Sequence, residues 1–222
     1  MKIIARIRND FPEKFGIPRQ SGILKNLESR IEFEKEFCNP DYLRGIEGFS
    51  HLWLIWCFSE NCDRKPSPTV RPPRLGGNVR VGVFATRSPF RPNPLGLSAV
   101  KLERVEKREG KPVLVVSGAD LMDGTPIYDI KPYLPFADSI PEAESGFAGE
   151  HFEENLSVEI PEDLLLIVPE DKREDLITLL AQNPRPAYQK DPHREYGIRF
   201  AGLSIRFRIV KDTLTVISAA KE

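Results

Sequence analysis

Ala85-Thr86-Arg87-Ser88-Pro89-Phe90-Arg91-Pro92-Asn93-Pro94-Leu95-Gly96-Leu97-Ser98 is the stretch on which the reading of the fold turns. Three prolines and one glycine in fourteen positions forbid a continuous helix or a central strand, because each proline removes a backbone donor and fixes φ. A shaped loop is required. Upstream, Val79-Arg80-Val81-Gly82-Val83-Phe84 alternates its valines as a half-buried strand does, and downstream Ala99-Val100-Lys101-Leu102 reads as another strand. A stiff loop between two strands presents Arg87, Arg91 and Asn93 from a frame that resists relaxation, which makes it a candidate binding site on a β scaffold.

Outward from this loop the strand pattern continues. Residues 2–8 alternate as an opening strand, followed by a loop that ends in the proline-stiffened turn Ile17-Pro18-Arg19-Gln20-Ser21-Gly22. Arg30 to Glu34 reads as a strand, and Asn39-Pro40 as the cap and first position of a short helical turn. Ser50 to Phe58 is apolar at both parities and rich in aromatic and β-branched types, as expected of a central strand covered on both faces. It stops at the polar trio Ser59-Glu60-Asn61, a rim of the kind where small ligands meet polar side chains. Ser98 to Val105 and Val113 to Ala119 form a hairpin across a charged turn at Glu106 to Pro112. Asp123-Gly124 marks a tight turn before a short strand through Ile127 and Ile130 that Pro132 closes. Asp129, Lys131 and Tyr133 near that turn are candidates for an active-site wall and equally for capping and turn residues.

Leu134 to Asn155 is acidic, rich in Pro, Gly, Ala and Ser, and without a clear period, so a domain boundary falls there. Beyond it, Leu156 to Ile160 reads as a strand and Glu170 to Ala181 as a helix stopped by Asn183-Pro184. Strands follow at Tyr196 to Phe200, Ser204 to Val210 and Leu214 to Ser218. At 222 residues and 40% hydrophobic content the chain can bury one large core, or a medium and a small one. No run approaches the roughly 18 to 20 apolar residues of a membrane span, and the charged start Met1 to Arg8 is not a signal peptide, so a cytoplasmic protein is expected.

The net charge of −1 conceals an asymmetry. From Arg64 to Leu102 no acidic residue occurs, while eight lysines and arginines do, among them Arg71, Arg74, Arg80, Arg87 and Arg91. From Asp138 to Asp175 the balance reverses, with thirteen acidic residues against Lys172 and Arg173. A solvated face is the bland explanation, but 39 residues without a carboxylate point to a phosphate-rich partner. The three cysteines, Cys38, Cys57 and Cys62, have neither metal spacing nor a nearby histidine, so reduced, mostly buried thiols are expected and no metal. Glycine-rich nucleotide loops, His-Glu-x-x-His and Gly-x-Ser-x-Gly are missing, and the strand-rich pattern argues against a doubly wound nucleotide-binding fold.

Taken whole, Gly82 to Ser98 resembles the signature of the TsaA-like, or YaeB-like, family, the bacterial TrmO proteins. The likeness extends to Glu47-Gly48-Phe49-Ser50-His51-Leu52-Trp53, to Val70-Arg71-Pro72-Pro73-Arg74-Leu75-Gly76-Gly77-Asn78, to Asp123-Gly124-Thr125-Pro126 with Asp129-Ile130-Lys131-Pro132-Tyr133, and to Asn183-Pro184-Arg185-Pro186-Ala187-Tyr188. Asn183 stands where an aspartate is expected. The resemblance implies a mainly β, α+β protein: a TsaA-like single-sheet β-barrel over residues 1–140, an acidic connection over 141–155 and a small C-terminal α/β domain over 156–222. It implies a homodimeric methyltransferase that uses S-adenosylmethionine on N6 of threonylcarbamoyladenosine at position 37 of tRNA. The cofactor would be held by Pro18, Arg19 and Gln20, by Ser59 and Glu60, by Arg87, by Leu97, and by Met122, Asp123, Gly124 and Thr125.

The residue chemistry is compatible with this. S-adenosylmethionine carries a carboxylate, a sulfonium, ribose hydroxyls and an adenine, and so wants a guanidinium, a carboxylate or carbonyl, and an apolar slot. Methyl transfer needs little acid or base help at carbon, but the acceptor nitrogen must lose a proton, for which Asp129, Lys131 and Tyr133 are the candidates. Arg71, Arg74, Arg80, Arg91 and Asn93 suit contacts with the tRNA anticodon arm, with Phe90 available to stack on a base. The rival reading from another class is a non-catalytic tRNA-binding β-barrel module, and a third is a barrel that clamps a small anionic metabolite.

Overall fold

The computed structural model describes residues 1–150, 155–185 and 191–221, apart from the side chains of Arg74 and Glu150. The family-like tail residues Pro186, Ala187 and Tyr188 lie outside the described residues.

The chain enters through β1 (Ala5–Arg8) and β2 (Glu28–Phe33), then three short 3-10 turns, the second capped by the Asn39 side chain accepting from Asp41 N. β3 (His51–Cys57) follows, then the two-residue strands β4 (Thr69–Val70) and β5 (Val81–Gly82). Next come β6 (Leu95–Arg108), β7 (Lys111–Ser117) and β8 (Pro126–Pro132). The strands pair in the order β1-β2-β7-β6-β3-β8, and β1 pairs with both β2 and β8, so the sheet closes on itself. Its interior holds Ala5, Ile7, Ile31, Leu52, Leu54, Val100, Leu114, Val116 and Ile127, the inward positions of alternating strands.

Two short helices, α1 (Pro135–Asp138) and α2 (Phe147–Glu150), lie in the acidic connection. Beyond it come β9 (Ser157–Glu159), α3 (Glu162–Ile167), α4 (Arg173–Ala181), β10 (Glu195–Phe200), β11 (Leu203–Val210) and β12 (Thr213–Lys221). They form a second sheet in the order β10-β11-β12-β9, with β9 parallel to β12. β10 and β11 alternate more and less buried residues along their length, and β12 does so from Thr213 to Ile217, as one-sided strands do.

A second core lies between this sheet and α4, and part of it comes from the other end of the chain. Phe11, Leu24 and Leu27, on the loop between β1 and β2, are buried with Leu176, Leu180, Ile198, Phe200 and Phe207. Phe15, Ile17 and Ile23 pack against the same cluster. The Lys172 ammonium meets Asp10 at 2.9 Å, and the Phe11 and Phe200 rings are 5.9 Å apart between centroids. The loop 9–27 is therefore a strap laid over the C-terminal sheet.

Several local expectations are revised. Val79 to Phe84 does not form an alternating strand: only Val81–Gly82 pairs, with Thr69–Val70, and Val83–Ala85 turns as 3-10, leaving Val79 half exposed. Among the described residues its β partner is the two-residue strand Thr69–Val70, which Pro68 precedes and Pro72 follows one residue on, too short to extend the ladder. β6 begins at Leu95, inside the proline-rich stretch, and β6 and β7 run on to Glu109-Gly110, a two-residue turn with both φ positive (51° and 78°). The turn is thus tighter than Glu106 to Pro112. The outer side of β3 is half covered, since Trp53 and Ile55 are neither buried nor fully exposed. Cys57 is buried, Cys38 half-buried and Cys62 exposed, and the Sγ atoms of Cys57 and Cys62 approach to 2.8 Å. Among the described residues no helix is long and apolar enough to cross a membrane.

Candidate functional site

At one end of the closed sheet lies a cavity of about 720 Å³, within the size range of small-molecule sites. Among the described residues four segments line it: the strap (Pro18, Arg19, Gln20), the end of β3 with its following turn (Trp56, Phe58, Ser59, Glu60), the proline loop with the start of β6 (Arg87, Arg91, Gly96, Leu97), and the β7–β8 connection (Asp120, Met122, Thr125). The strap reaches the cavity because its apolar residues are anchored in the second core, while Gly22 N donates to Gly118 O at 2.8 Å on the closed-sheet side. The proline loop is braced from within: Arg91 Nη2 donates to Thr86 O at 3.0 Å and Val83 O at 3.4 Å, and Thr86 Oγ1 donates to Val83 O at 2.8 Å.

The floor is an ordered polar chain in an apolar setting. Trp56 faces its register partner Gly96, and a Cβ on Gly96 would sit 2.2 Å from the indole, so only glycine lets the ring lie there. The indole Nε1–H donates to Ser98 Oγ at 2.9 Å, and the Ser98 hydroxyl donates to Asp120 Oδ1 at 2.5 Å. Burial pushes the Asp120 carboxyl above its ordinary value, with the Ser98 hydroxyl and the Arg87 charge acting the other way. The Arg87 guanidinium also donates to Gln20 Oε1, which joins the proline loop to the strap. Guanidiniums from Arg19, Arg87 and Arg91 thus share one cavity with the carboxylates of Asp120 and Glu60 and an apolar wall of Trp53, Trp56, Phe58 and Leu97.

Nine of the eleven residues proposed for the cofactor line this cavity: Pro18, Arg19, Gln20, Ser59, Glu60, Arg87, Leu97, Met122 and Thr125. Asp123 and Gly124 do not; they build the turn that ties the β7–β8 connection to β1. Asp123 Oδ1 accepts from Asn9 N at 3.0 Å, Gly124 N donates to Ile7 O at 2.9 Å, and Gly124 O accepts from Arg6 Nη1 at 3.1 Å. Asp129, Lys131 and Tyr133 also stand outside the lining. On β8, Asp129 pairs with Ile55 and Lys131 with Trp53, their charged groups are 3.1 Å apart, and the Tyr133 ring packs 5.4 Å from Trp53. By register they share the sheet face of Trp53 and stand beside it, next to the lining rather than in it.

The residues proposed for tRNA are spread over the carboxylate-free loops. Arg71 and Asn93 are exposed, Arg80 is exposed with Nη1 donating to Thr69 Oγ1 at 2.9 Å, and Arg91 is drawn into the cavity wall. The Arg74 side chain lies outside the described residues. Trp56, Gly96, Ser98 and Asp120 were not singled out from sequence. The available signal was Ser98, a hydroxyl at an inward position of a strand whose next inward residues are Val100 and Leu102.

A closed antiparallel sheet with a polar-rimmed cavity at its end, strapped to a second small sheet, defines a class of β-framework ligand-binding proteins. The sequence matches the tRNA-methyltransferase O N-terminal domain over residues 6–139 and the TrmO C-terminal domain over residues 154–222. This chain belongs to the tRNA-methyltransferase O family. An Escherichia coli K12 protein named tRNA (adenine(37)-N6)-methyltransferase is 41% identical over 217 residues, covering 93% of this chain and 91% of its own. A Pseudomonas aeruginosa protein named as a putative S-adenosylmethionine-dependent methyltransferase is 40% identical over 98% of this chain and 96% of its own. The crystal structure of a P. aeruginosa TrmO superposes with a TM-score of 0.78 at 33% identity, covering 99% of this chain and 95% of that one.

Proposed function

We propose that this chain is an S-adenosylmethionine-dependent methyltransferase that methylates N6 of adenine 37 in tRNA, where that adenine carries a threonylcarbamoyl group. The observation that carries the reading is that nine of the expected cofactor residues line one cavity. The donor set fits the cofactor: Arg19 and Arg87 would hold its carboxylate, Asp120 and Glu60 face its cationic part, and Trp56 and Leu97 offer apolar surface. When bound, S-adenosylmethionine supplies a methyl group activated for in-line displacement. The protein's share is to align the acceptor nitrogen and exclude water. That nitrogen shares its lone pair with the purine and a carbonyl, so it needs a proton acceptor. Asp129, beside Lys131 and on the sheet face that Trp53 shares, with Tyr133 next to that tryptophan, is proposed for that role.

The tRNA partner is supported by the carboxylate-free run from Arg64 to Leu102, from which Arg71, Arg80, Arg91 and Asn93, together with Arg74, would meet the anticodon arm. The same reading includes a TsaA-like barrel over residues 1–140, an acidic connection over 141–155, a C-terminal unit over 156–222, a homodimer and a cytoplasmic setting. The test is incubation with methyl-labelled S-adenosylmethionine and total tRNA, followed by nucleoside digestion. Label is expected in N6-methylated threonylcarbamoyladenosine. Binding of tRNA without any labelled nucleoside would favour the non-catalytic binding module.

A further inference from the structure

Asn183 and Pro184 are not among the described lining residues, yet Asn183 touches the cavity through one residue. Arg19, which lines the cavity, donates from Nη2 to the main-chain carbonyl of Asn183 at 2.9 Å. Asn183 directly follows the C-cap of α4 and has φ of +53°, the left-handed conformation that ends many helices. Asparagine reaches it at modest cost, and a β-branched residue does not. The conformation turns the carbonyl of residue 183 away from the helix ladder and toward the strap, where the Lys172–Asp10 ion pair and the Phe11–Phe200 contact hold the same strap against the C-terminal sheet.

We propose that Asn183 is a positioning residue of the cofactor cavity: its main-chain carbonyl orients the Arg19 guanidinium, so that the C-terminal unit shapes a wall of a site whose described lining comes from the N-terminal half of the chain. This rests on the cofactor reading above and deepens it. A guanidinium held in one rotamer before binding brings a smaller entropy cost to association. The side chain of Asn183 is not the agent; its Oδ1 is buried without a hydrogen bond among the described residues. What matters is the backbone conformation that asparagine permits.

The test compares Asn183→Gly, which keeps the left-handed conformation, with Asn183→Val, which opposes it, each alone and combined with Arg19→Ala, by calorimetric binding of S-adenosylmethionine alongside thermal melting. Asn183→Val is expected to weaken binding about 3- to 10-fold, the scale of one typical net hydrogen bond. In the Arg19→Ala background the same change is expected to have less than about a twofold effect, because the partner it acts through is gone. Asn183→Gly should bind within about twofold of the wild type. Equal loss from Asn183→Val with and without Arg19 would mean that it acts through folding alone, and would overturn the proposal, as would unchanged binding in a wild-type background. A wild-type protein that does not bind S-adenosylmethionine would instead remove the cofactor reading itself.

Discussion

Gly96 and Asp120 carry opposite kinds of constraint at the cavity floor. At Gly96 the constraint is steric: a Cβ would lie 2.2 to 2.6 Å from three atoms of the Trp56 indole, which is itself hydrogen-bonded to Ser98. Gly96→Ala should therefore cost about 1–3 kcal/mol, the usual penalty for overpacking, and should disturb the Ser98–Asp120 bond because the ring must move. A thermal melt within a degree of wild type would contradict this. At Asp120 the constraint is electrostatic. Burial raises its carboxyl above the ordinary value, so the folded chain holds the proton more tightly than the unfolded one. Its contribution therefore favours folding in full below the ordinary carboxyl range, and is lost as pH rises through the folded value. Asp120→Asn offers Ser98 an acceptor without ionising, so it should be more stable than wild type at pH 7, and the difference should shrink as pH falls toward about 3.5. Urea midpoints at the two pH values give the answer, and a constant offset would rule out the ionisation.

Among the elements, the proline loop shows what sequence can and cannot convey. Its rigidity and its arginines were legible, because proline and charge act locally. The inward start of β6 at Leu95 was not, because Leu95 and Gly96 become strand only through pairing with Cys57 and Trp56 across the sheet. Long, strongly patterned strands such as β3 and β11 were read within a few residues, whereas Val79 to Phe84 was misread because its valine alternation has almost nothing to pair with. At the cavity, nine lining residues were legible through motif resemblance, while Asp120 was obscured by the nearby Asp123, whose role is to tie β1 to the turn. The same context dependence bears on which aromatic is available to stack on a base of the proposed tRNA partner. Phe90 was the candidate for stacking, but it is 38% exposed with the Arg64 guanidinium 5.8 Å from its ring, whereas Phe84, on the 3-10 turn before the loop, is 79% exposed. Phe84→Ala should therefore weaken tRNA binding by about 1–3 kcal/mol, the value of one base–aromatic stack, and Phe84→Trp should restore it. A filter-binding comparison in which Phe90→Ala, and not Phe84→Ala, carries the loss would reverse the assignment.

For the whole molecule, the strap makes the two sheets interdependent in a way that the family boundaries at residues 139 and 154 do not convey. Phe11, Leu24 and Leu27 belong by sequence to the N-terminal sheet and by packing to the C-terminal core. A chain ended at residue 140 would expose these three side chains together with Phe15, Ile17 and Ile23, which pack on the same core. Fully burying one such side chain is worth about 1.5–3 kcal/mol, so the strap would lose most of what holds it. The closed sheet keeps its own interior, from Ile7 and Ile31 to Leu114 and Ile127, and should stay folded. Pro18, Arg19 and Gln20, however, ride on the strap and line the cavity, so they should lose their fixed positions. The truncated chain should therefore retain the β signal of the closed sheet in circular dichroism, become sensitive to protease between residues 9 and 27, and lose S-adenosylmethionine binding even though most cavity residues remain in it. Resistance of that loop to protease with cofactor affinity intact would mean that the strap is held from the closed-sheet side, by contacts such as Gly22 with Gly118, Asn9 with Asp123, and Gln20 with Arg87.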